Sequence, residues 1–380
     1  MKKHIPYGRQ WIDEEDIKAV EEVLRSDYLT TGPKITEFEK KLIEITGAKY
    51  AVTIANGTAA LHAACFAAGI SAGDEVITTP ITFAASSNAV LYCGGRPVFA
   101  DINPVTYNID PDDIKRKITR NTKAIIPVHF TGQPCNMDPI LKIAEKYGLI
   151  VIEDAAHAIG AKYKGKSVGS ISNMTTFSFH PVKQITTGEG GAITTNDERL
   201  YEQLSMFRTH GITRNTNKMI NNEGPWFYEQ QFLGFNYRMT DIQAALGISQ
   251  LKKLQMFIQK RKEYASIYDE AFKDFEEVIT PAQLPETESS WHLYVIQLNL
   301  DRLKMGRKEI YQGLLDEGIG VNVHYTPVYY HPYYQNLGYK KGICPKAEAL
   351  YEKIITLPLY PAMTKEDVEY VIEVVKKVLL

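Results

Sequence analysis

Short runs of apolar and β-branched residues recur along the first half of the chain and predict strands. The runs are Lys49–Asn56, Asp74–Pro80, Arg96–Ile102, Ala124–Phe130, Leu149–Ala155, Thr175–His180 and Gly191–Asn196. Helix-compatible stretches separate the first five, among them Thr58–Ala68, Thr82–Tyr92 and Asp138–Tyr147. Strands that alternate with helices are typical of a doubly wound sheet. We therefore predict an α/β fold with a mostly parallel, seven-stranded sheet.

One connection in this sheet is too short for a parallel crossover. Only ten residues, Pro181–Gly190, lie between the sixth and seventh runs. A crossover between parallel strands usually needs about a dozen residues or more. One of these two strands is therefore predicted to be antiparallel.

A helix is predicted near the start of the chain. Asp13 can cap it, with Ile12 and Ile17 placed as a hydrophobic staple. Ile17, Val20 and Leu24 then fall on one helical face, which predicts an apolar stripe.

The pattern changes after about residue 245, which predicts a second domain. A long amphipathic segment, Ile248–Lys273, is followed by strand-like runs at His292–Leu298 and Val321–Tyr325 and by a closing helix at Lys365–Leu380. We predict a large domain with an N-terminal arm (residues 1–245) and a smaller α/β domain (residues 246–380).

Composition adds few constraints. The net charge of −2 over 380 residues gives no reason to expect nucleic-acid or membrane attraction. The first residues lack the apolar core of a signal peptide, and no apolar run approaches the roughly 18 residues of a membrane span. The four cysteines form no C-x-x-C pair, so neither disulfides nor a zinc site are suggested. We expect a soluble cytoplasmic protein.

Candidate chemistry gathers at the predicted carboxyl ends of the strands, where open α/β sheets bind their ligands. Lys183 follows the sixth run, and a lysine shielded from solvent can act as a nucleophile that forms Schiff bases. Asp154 ends the fifth run and could hold a pyridine nitrogen protonated, the usual companion when the carbonyl partner is pyridoxal phosphate. A helix cap is the alternative for Asp154.

The other strand ends supply complementary groups. Gly57 and Thr58 open a helix and could bind a phosphate, although a plain Asn-Gly turn has the same pattern. Phe83 could stack on an aromatic ring or simply belong to the core. His157 lies one helical turn beyond Asp154, and Ser178 is a second possible phosphate donor or an inward-facing strand serine.

Two further patterns carry little weight. Gly160–Ser167 matches the P-loop consensus, but the glycine, serine and β-branched residues that follow it favour a hairpin over the required helix. No histidine pair has metalloprotease or zinc-finger spacing, so no metal is expected.

Assembled, these residues resemble the DegT/DnrJ/EryC1/StrS sugar aminotransferases, which are fold type I enzymes dependent on pyridoxal 5′-phosphate (PLP). The resemblance extends over nearly the whole chain. Its motifs are Leu29–Pro33, Asn56–Leu61, Glu153–Ala158, Phe177–Lys183, Gly188–Gly191, Arg208–Gly211, Asn236–Met239, His324–Pro327 and Leu357–Tyr360.

The resemblance implies a role for each candidate residue. Lys183 would be the Schiff-base lysine, and Asp154 the partner of the pyridinium. Gly57, Thr58 and Ser178 would bind the phosphate, Phe83 would cover the ring, and His157 would lie near the phenolic oxygen, where many members carry Gln. Asn236 would reach the cofactor phosphate of a neighbouring subunit, which implies a homodimer with shared active sites.

Within the family, the segments Ile5–Gln10 and Ile185–Glu189 resemble the subgroup that serves pseudaminic acid biosynthesis. That subgroup aminates C4 of a UDP-linked 4-keto-6-deoxy-N-acetyl-hexosamine, UDP-2-acetamido-2,6-dideoxy-L-arabino-hexos-4-ulose, and glutamate is the expected donor. Tyr7, His324 and Tyr325 would then be candidates for substrate binding. The alternatives are another UDP- or dTDP-linked keto-sugar, a sugar dehydratase of the same fold, and a non-catalytic sensor. Relatives that dehydrate sugars have histidine at the lysine position, so Lys183 argues against dehydration.

Overall fold

The computed structural model describes residues 4–380. The α-helices are α1 (Glu14–Leu24), α2 (Pro33–Thr46), α3 (Gly57–Ala67), α4 (Ala85–Tyr92), α5 (Pro111–Lys117), α6 (Met137–Tyr147), α7 (Glu198–Phe207), α8 (Asp241–Phe272), α9 (Arg307–Asp316), α10 (Pro332–Asn336), α11 (Pro345–Tyr351) and α12 (Lys365–Leu379). The strands of the main sheet are β1 (Tyr50–Ile54), β2 (Glu75–Thr78), β3 (Arg96–Phe99), β4 (Thr122–Ile126), β5 (Ile150–Asp154), β8 (Met174–Ser178) and β9 (Gly191–Thr195). The remaining strands are β6 (Lys162–Tyr163), β7 (Lys166–Ser167), β10 (Ile212–Thr213), β11 (Glu229–Gln230), β12 (Val278–Ile279), β13 (Thr287–Glu288), β14 (Tyr294–Leu298) and β15 (Ile354–Leu357).

The main sheet has seven strands in the order β1-β9-β8-β5-β4-β2-β3. All neighbouring pairs from β8 to β3 are parallel, and β9 runs antiparallel to both β1 and β8. This confirms the predicted mostly parallel sheet. It also confirms that the short segment between the sixth and seventh runs reverses one strand.

Helices cover both faces of this sheet because successive strand residues point in opposite directions. Val52 and Ile54 of β1 pack in an apolar cluster with α3 and α7, whereas Ala51 packs in another with α2 and α8. The sheet is therefore buried on both sides, as parallel sheets usually are.

The stripe predicted for α1 is wrong, although its cap is right. Asp13 accepts hydrogen bonds from the backbone N–H groups of Glu15 and Asp16, as an N-cap should. The expected apolar side chains Ile17 and Leu24 are exposed, while Asp16 is fully buried.

Polar contacts decide this orientation of α1. The Asp16 carboxylate accepts from Gln250 Nε2 at 2.7 Å and lies 2.6 Å from Lys253 Nζ, both on α8. A buried carboxylate is stable only when it is paired in this way, so this face of α1 turns inwards.

The C-terminal region contains a second, three-stranded sheet in the order β12-β14-β15, packed with α9 and α12. The predicted strand at Val321–Tyr325 is wrong, since only Asn322 forms an isolated bridge there, to Thr356. The sequence prediction also missed β15. Position 245, where two domains were predicted to divide, lies inside α8, and the division stays a prediction.

The P-loop-like segment is a hairpin, as predicted. Strands β6 and β7 pair antiparallel, and Gly165 between them has a φ of +76°, which a glycine adopts without strain. The chain continues from this turn into β7 and then β8 without an intervening helix, so the segment lacks the architecture of a nucleotide-phosphate loop.

Candidate active site

A cavity of about 810 Å³ opens at the carboxyl ends of the main-sheet strands. It brings together nearly every candidate residue of the sequence analysis: Tyr7, Gly57, Thr58, Phe83, Asp154, His157, Ser178, Lys183, His324 and Tyr325. Parallel strands place their carboxyl ends at one edge, which explains why residues so distant in sequence meet.

The start of α3 and the end of β8 form one concave surface. Asn56 caps α3 by accepting from the Ala59 N–H, so the N–H groups of Gly57 and Thr58 lie in the first turn of the helix, at its positive end. A Cβ on Gly57 would lie 2.8 Å from the Ser178 Cβ. Only glycine therefore lets these elements approach so closely, and the surface has the donors that a phosphate requires.

Asp154 is held by two donors. Its Oδ2 accepts from Ser86 Oγ at 2.6 Å and its Oδ1 from the Ala156 N–H at 3.1 Å. The residue is buried and lies where β5 ends, with its backbone paired to the chain after β4. These contacts hold the carboxylate at the wall of the cavity.

Lys183 reaches the same cavity from the turn after β8. Lys183 is half-buried, and desolvation by the surrounding protein lowers its pKa from the ordinary 10.5 to about 8. The nearby Asp154 charge opposes this shift, whereas the buried Arg261 guanidinium adds to it. Its amine therefore loses a proton more readily than an exposed lysine. His180, three residues before Lys183, also lines the cavity and is exposed; it is the histidine nearest in sequence to the position at which sugar-dehydrating relatives carry one.

His157 is neutral in this environment. Burial holds its pKa well below its usual range, and the Lys183 charge has the same effect. Its Nε2 lies 3.1 Å from the Tyr325 hydroxyl, and its Nδ1 is buried without a partner among the described residues. A buried, unpaired nitrogen of this kind is costly and indicates a group available to a ligand.

The substrate candidates lie on the side of the C-terminal region. The Tyr7 and His324 rings are 5.5 Å apart, and His324 Nδ1 lies 2.8 Å from Thr356 Oγ1 on β15. Burial lowers the pKa of His324 to about 3, so it is neutral. Asn322, which sequence analysis did not single out, lines the cavity beside them.

Asn236 does not line the cavity of its own chain. It is exposed and forms a bridge with Thr209 in the segment before α8. This position leaves the prediction that it serves a neighbouring subunit untested within one chain.

Sequence analysis missed several lining residues besides Asn322. Ser86, Thr82, His292 and Tyr237 all face the cavity. The one available signal was the i, i+4 spacing of Thr82 and Ser86 in a stretch predicted to be helical. His292 and Tyr237 are brought in by distant chain segments and had no local signal.

The comparisons with known proteins agree with this geometry. Residues 10–376 match the DegT/DnrJ/EryC1/StrS aminotransferase family. The chain is 43% identical to the spore coat polysaccharide biosynthesis protein SpsC of Bacillus subtilis (98% of this chain, 97% of that protein). It is 39% identical to UDP-4-amino-4,6-dideoxy-N-acetyl-beta-L-altrosamine transaminase of Campylobacter jejuni (97% and 95%). PseC of Helicobacter pylori, an aminotransferase involved in the biosynthesis of pseudoaminic acid, superposes with a TM-score of 0.92 at 36% identity, covering 99% of both chains.

The chain therefore belongs to the DegT/DnrJ/EryC1/StrS aminotransferase family, as its motifs indicated. It is a PLP-dependent sugar aminotransferase, and its fold is that of these enzymes. The cavity fits PLP, because it combines the N–H donors at the start of α3, the buried acid Asp154, the readily deprotonated Lys183 and the unpaired Nδ1 of His157. Among residues 4–380, no helix is long and apolar enough to cross a membrane, and no cluster of possible metal ligands occurs.

The shifted pKa of Lys183 predicts its reactivity. Because the ammonium is favoured less than in water, the neutral amine should appear as the pH rises through about 8. Competitive acetylation of the apoenzyme, read by mass spectrometry of the Lys183 peptide, should give this midpoint, whereas exposed lysines should titrate near 10.4. Asp154→Asn should lower the Lys183 midpoint further, since the carboxylate stabilises the ammonium. An ordinary midpoint for Lys183 would contradict the buried environment.

The close approach at Gly57 predicts a second effect. Gly57→Ala should force Ser178 away and weaken PLP binding about tenfold, the scale of one lost hydrogen bond to a charged group. Binding of pyridoxal without the phosphate should change far less. Gly306→Ala is the matched control, since the added methyl at that helix start would meet only a Glu309 oxygen 3.5 Å away. Equal losses for PLP and pyridoxal would show that the effect is not at the phosphate.

Proposed function

We propose that this enzyme transfers an amino group from glutamate to C4 of a UDP-linked 4-keto-6-deoxy-N-acetyl-hexosamine, the step used in pseudaminic acid biosynthesis. The observation that carries the proposal is the enclosed pair of Lys183 and Asp154 in one cavity with a helix start suited to phosphate. The transaminase activity of the Campylobacter jejuni relative and the pathway of PseC support the substrate class.

Each candidate residue has a role in this proposal. Gly57, Thr58 and Ser178 bind the cofactor phosphate through N–H and O–H donors. Phe83, which is 64% exposed, covers one face of the ring. Asp154 pairs with the ring nitrogen, and His157 Nδ1 donates to the phenolic oxygen. Because a neutral imidazole carries one N–H, that donation requires His157 Nε2 to accept from the Tyr325 hydroxyl.

Lys183 moves the proton in the reaction. Bound PLP supplies an electron-withdrawing ring that takes up the electron pair left when the donor's Cα loses its proton. The Lys183 amine, neutral more easily than an exposed lysine, would accept that proton and then donate it at C4′ of the cofactor. Asp154 keeps the ring nitrogen protonated. The keto-sugar then takes up the amino group by the reverse sequence, so the two substrates alternate in one cavity.

The sugar is proposed to enter beside Tyr7, His324 and Tyr325. Tyr7 belongs to the N-terminal arm, and His324 and Tyr325 belong to the loop before residues 328–330; all three line the cavity that also contains Gly57, Thr58 and Ser178. A second candidate substrate is another keto-sugar used in surface polysaccharide synthesis, which the similarity to SpsC favours.

A homodimer and a cytoplasmic location complete the proposal. Ile220, Trp226 and Leu233, in the segment before Asn236, are 89%, 69% and 77% exposed, so this segment has apolar surface for a second copy.

The cysteines support the proposed cytoplasmic location. All four are free, which is typical of proteins in reducing compartments.

The role of Lys183 is tested by the absorption spectrum of the PLP-loaded enzyme. PLP-loaded enzyme should be yellow, and glutamate should bleach the band as its amino group passes to the cofactor. Lys183→Ala should reduce turnover at least about a thousandfold, since it removes the proton-transfer group. Lys166→Ala, in the P-loop-like hairpin, should behave as wild type. If the protein could not be loaded with PLP, the proposed transamination would be refuted.

The substrate is tested with a panel of UDP- and dTDP-linked 4-keto sugars and glutamate. The UDP-linked 6-deoxy-N-acetyl sugar of the L-arabino series should give the highest kcat/KM, with NMR defining the C4 configuration of the product. A clear preference for a different keto-sugar would support the second candidate instead.

Shared active sites are tested by mixing inactive variants. If Asn236 serves the partner's cofactor, a heterodimer of Lys183→Ala and Asn236→Ala chains contains one fully intact site. Mixing and re-equilibrating the two homodimers should therefore raise activity above that of either alone. No gain in the mixture would show that Asn236 does not act across subunits.

A further inference from the structure

Two buried hydroxyl groups beside Asp154 have no role in the function proposed above. Ser86 Oγ lies 2.6 Å from Asp154 Oδ2, and Thr82 Oγ1 lies 2.7 Å from Ser86 Oγ. Thr82 and Ser86 are 4% and 1% exposed, so solvent does not compete for these hydrogen bonds. The three side chains form a continuous row that ends at the carboxylate.

The direction of this row follows from the number of protons. An ionised carboxylate only accepts hydrogen bonds, so Ser86 must donate its single proton to Asp154. The Ser86 oxygen can then only accept from Thr82, whose own proton is directed towards it. The other acceptor within reach of Ser86 is the Phe83 carbonyl at 3.3 Å, a much longer contact. Thr82 therefore donates to Ser86, and Ser86 donates to Asp154.

We propose that Thr82 and Ser86 are positioning residues that hold the Asp154 carboxylate in the orientation needed at the cofactor's ring nitrogen. The proposal rests on the role given to Asp154 above. Ser86 fixes Oδ2 while the Ala156 N–H fixes Oδ1, so both torsions of the Asp154 side chain are set before any ligand binds. Preorganised charge of this kind need not reorient during the reaction.

The same turn also positions the aromatic residue. Phe83 lies between Thr82 and Ser86 at the start of α4, and it lines the cavity. Segment 82–86 therefore fixes both the residue proposed to cover the ring and the acid proposed to pair with its nitrogen. A shift of this turn would disturb both contacts together.

The experiment compares neighbouring serines. Ser86→Ala removes the donor to Asp154. Ser87→Ala is the matched control, because Ser87 is also fully buried but its hydroxyl contacts Tyr334 and the Ala84 carbonyl instead. Thr82→Val removes the outer hydroxyl at nearly constant shape. Thermal unfolding of each variant shows whether the fold is retained.

Two readouts report on Asp154 independently of turnover. We expect Ser86→Ala to weaken PLP binding to the apoenzyme about tenfold, the scale of a hydrogen bond to a charged group. With cofactor labelled by ¹⁵N in the ring, its nitrogen signal should move towards the unprotonated pyridine. Thr82→Val should change both in the same direction but less, and Ser87→Ala should match wild type. Identical values for Ser86→Ala and Ser87→Ala would overturn the proposal, as would a larger effect of Thr82→Val.

Asp154→Asn separates this proposal from the function on which it rests. It should remove the protonated ring-nitrogen signal in otherwise normal holoenzyme. If Asp154→Asn leaves that signal unchanged, the role of Asp154 itself is wrong. If Asp154→Asn has its effect while Ser86→Ala has none, Asp154 keeps its role and only the positioning by hydroxyls is refuted.

Discussion

The active site depends on the cost of enclosing a lysine amine in protein. Desolvation favours the neutral amine of Lys183, and the buried Arg261 guanidinium favours it further. The nearby charge that acts in the opposite direction is that of Asp154. The pKa of Lys183 is therefore about 8, so the amine can both lose and regain a proton near neutral pH. A group that must act in turn as base and acid requires this property.

This balance depends on where the Asp154 carboxylate lies, and two hydrogen-bond donors fix its position. The segment after β5 supplies the backbone N–H of Ala156, and the first turn of α4 supplies the Ser86 hydroxyl. The surrounding histidines, His157 and His324, have pKa values lowered by burial and stay neutral. They can therefore offer hydrogen bonds to a ligand without adding positive charge that would drive the Lys183 pKa down further.

A glycine and the sheet topology bring the start of α3, which is proposed to bind phosphate, into the same cavity as Lys183 and Asp154. Gly57 lets α3 begin against Ser178, and the antiparallel strand β9 closes the sheet between β1 and β8. The surface proposed to bind phosphate and the lysine turn follow β1 and β8, which run in the same direction on either side of β9 and end at the same edge. The C-terminal sheet holds His324 in the cavity wall through Thr356 of β15. The cavity is therefore lined both by the strand ends of the main sheet and by residues of the C-terminal region.

The sequence by itself determined the strands of the main sheet, the reversed strand and the group of residues at the strand ends, but not the strands of the C-terminal sheet, where the predicted strand Val321–Tyr325 was wrong and β15 was missed. These follow from local periodicity, connection length and the rule that parallel strands align their carboxyl ends. It also determined the family, since so many ordered motifs lie along the chain. Its errors occurred where a distant partner overrides local pattern, as when Lys253 and Gln250 draw Asp16 of α1 inwards and leave Ile17 exposed. Only the tertiary structure decided which hydroxyls reach Asp154, which nitrogen of His157 is free and how far the pKa of Lys183 falls. Those properties depend on distances and burial between segments far apart in the chain, and no local pattern of residues encodes them.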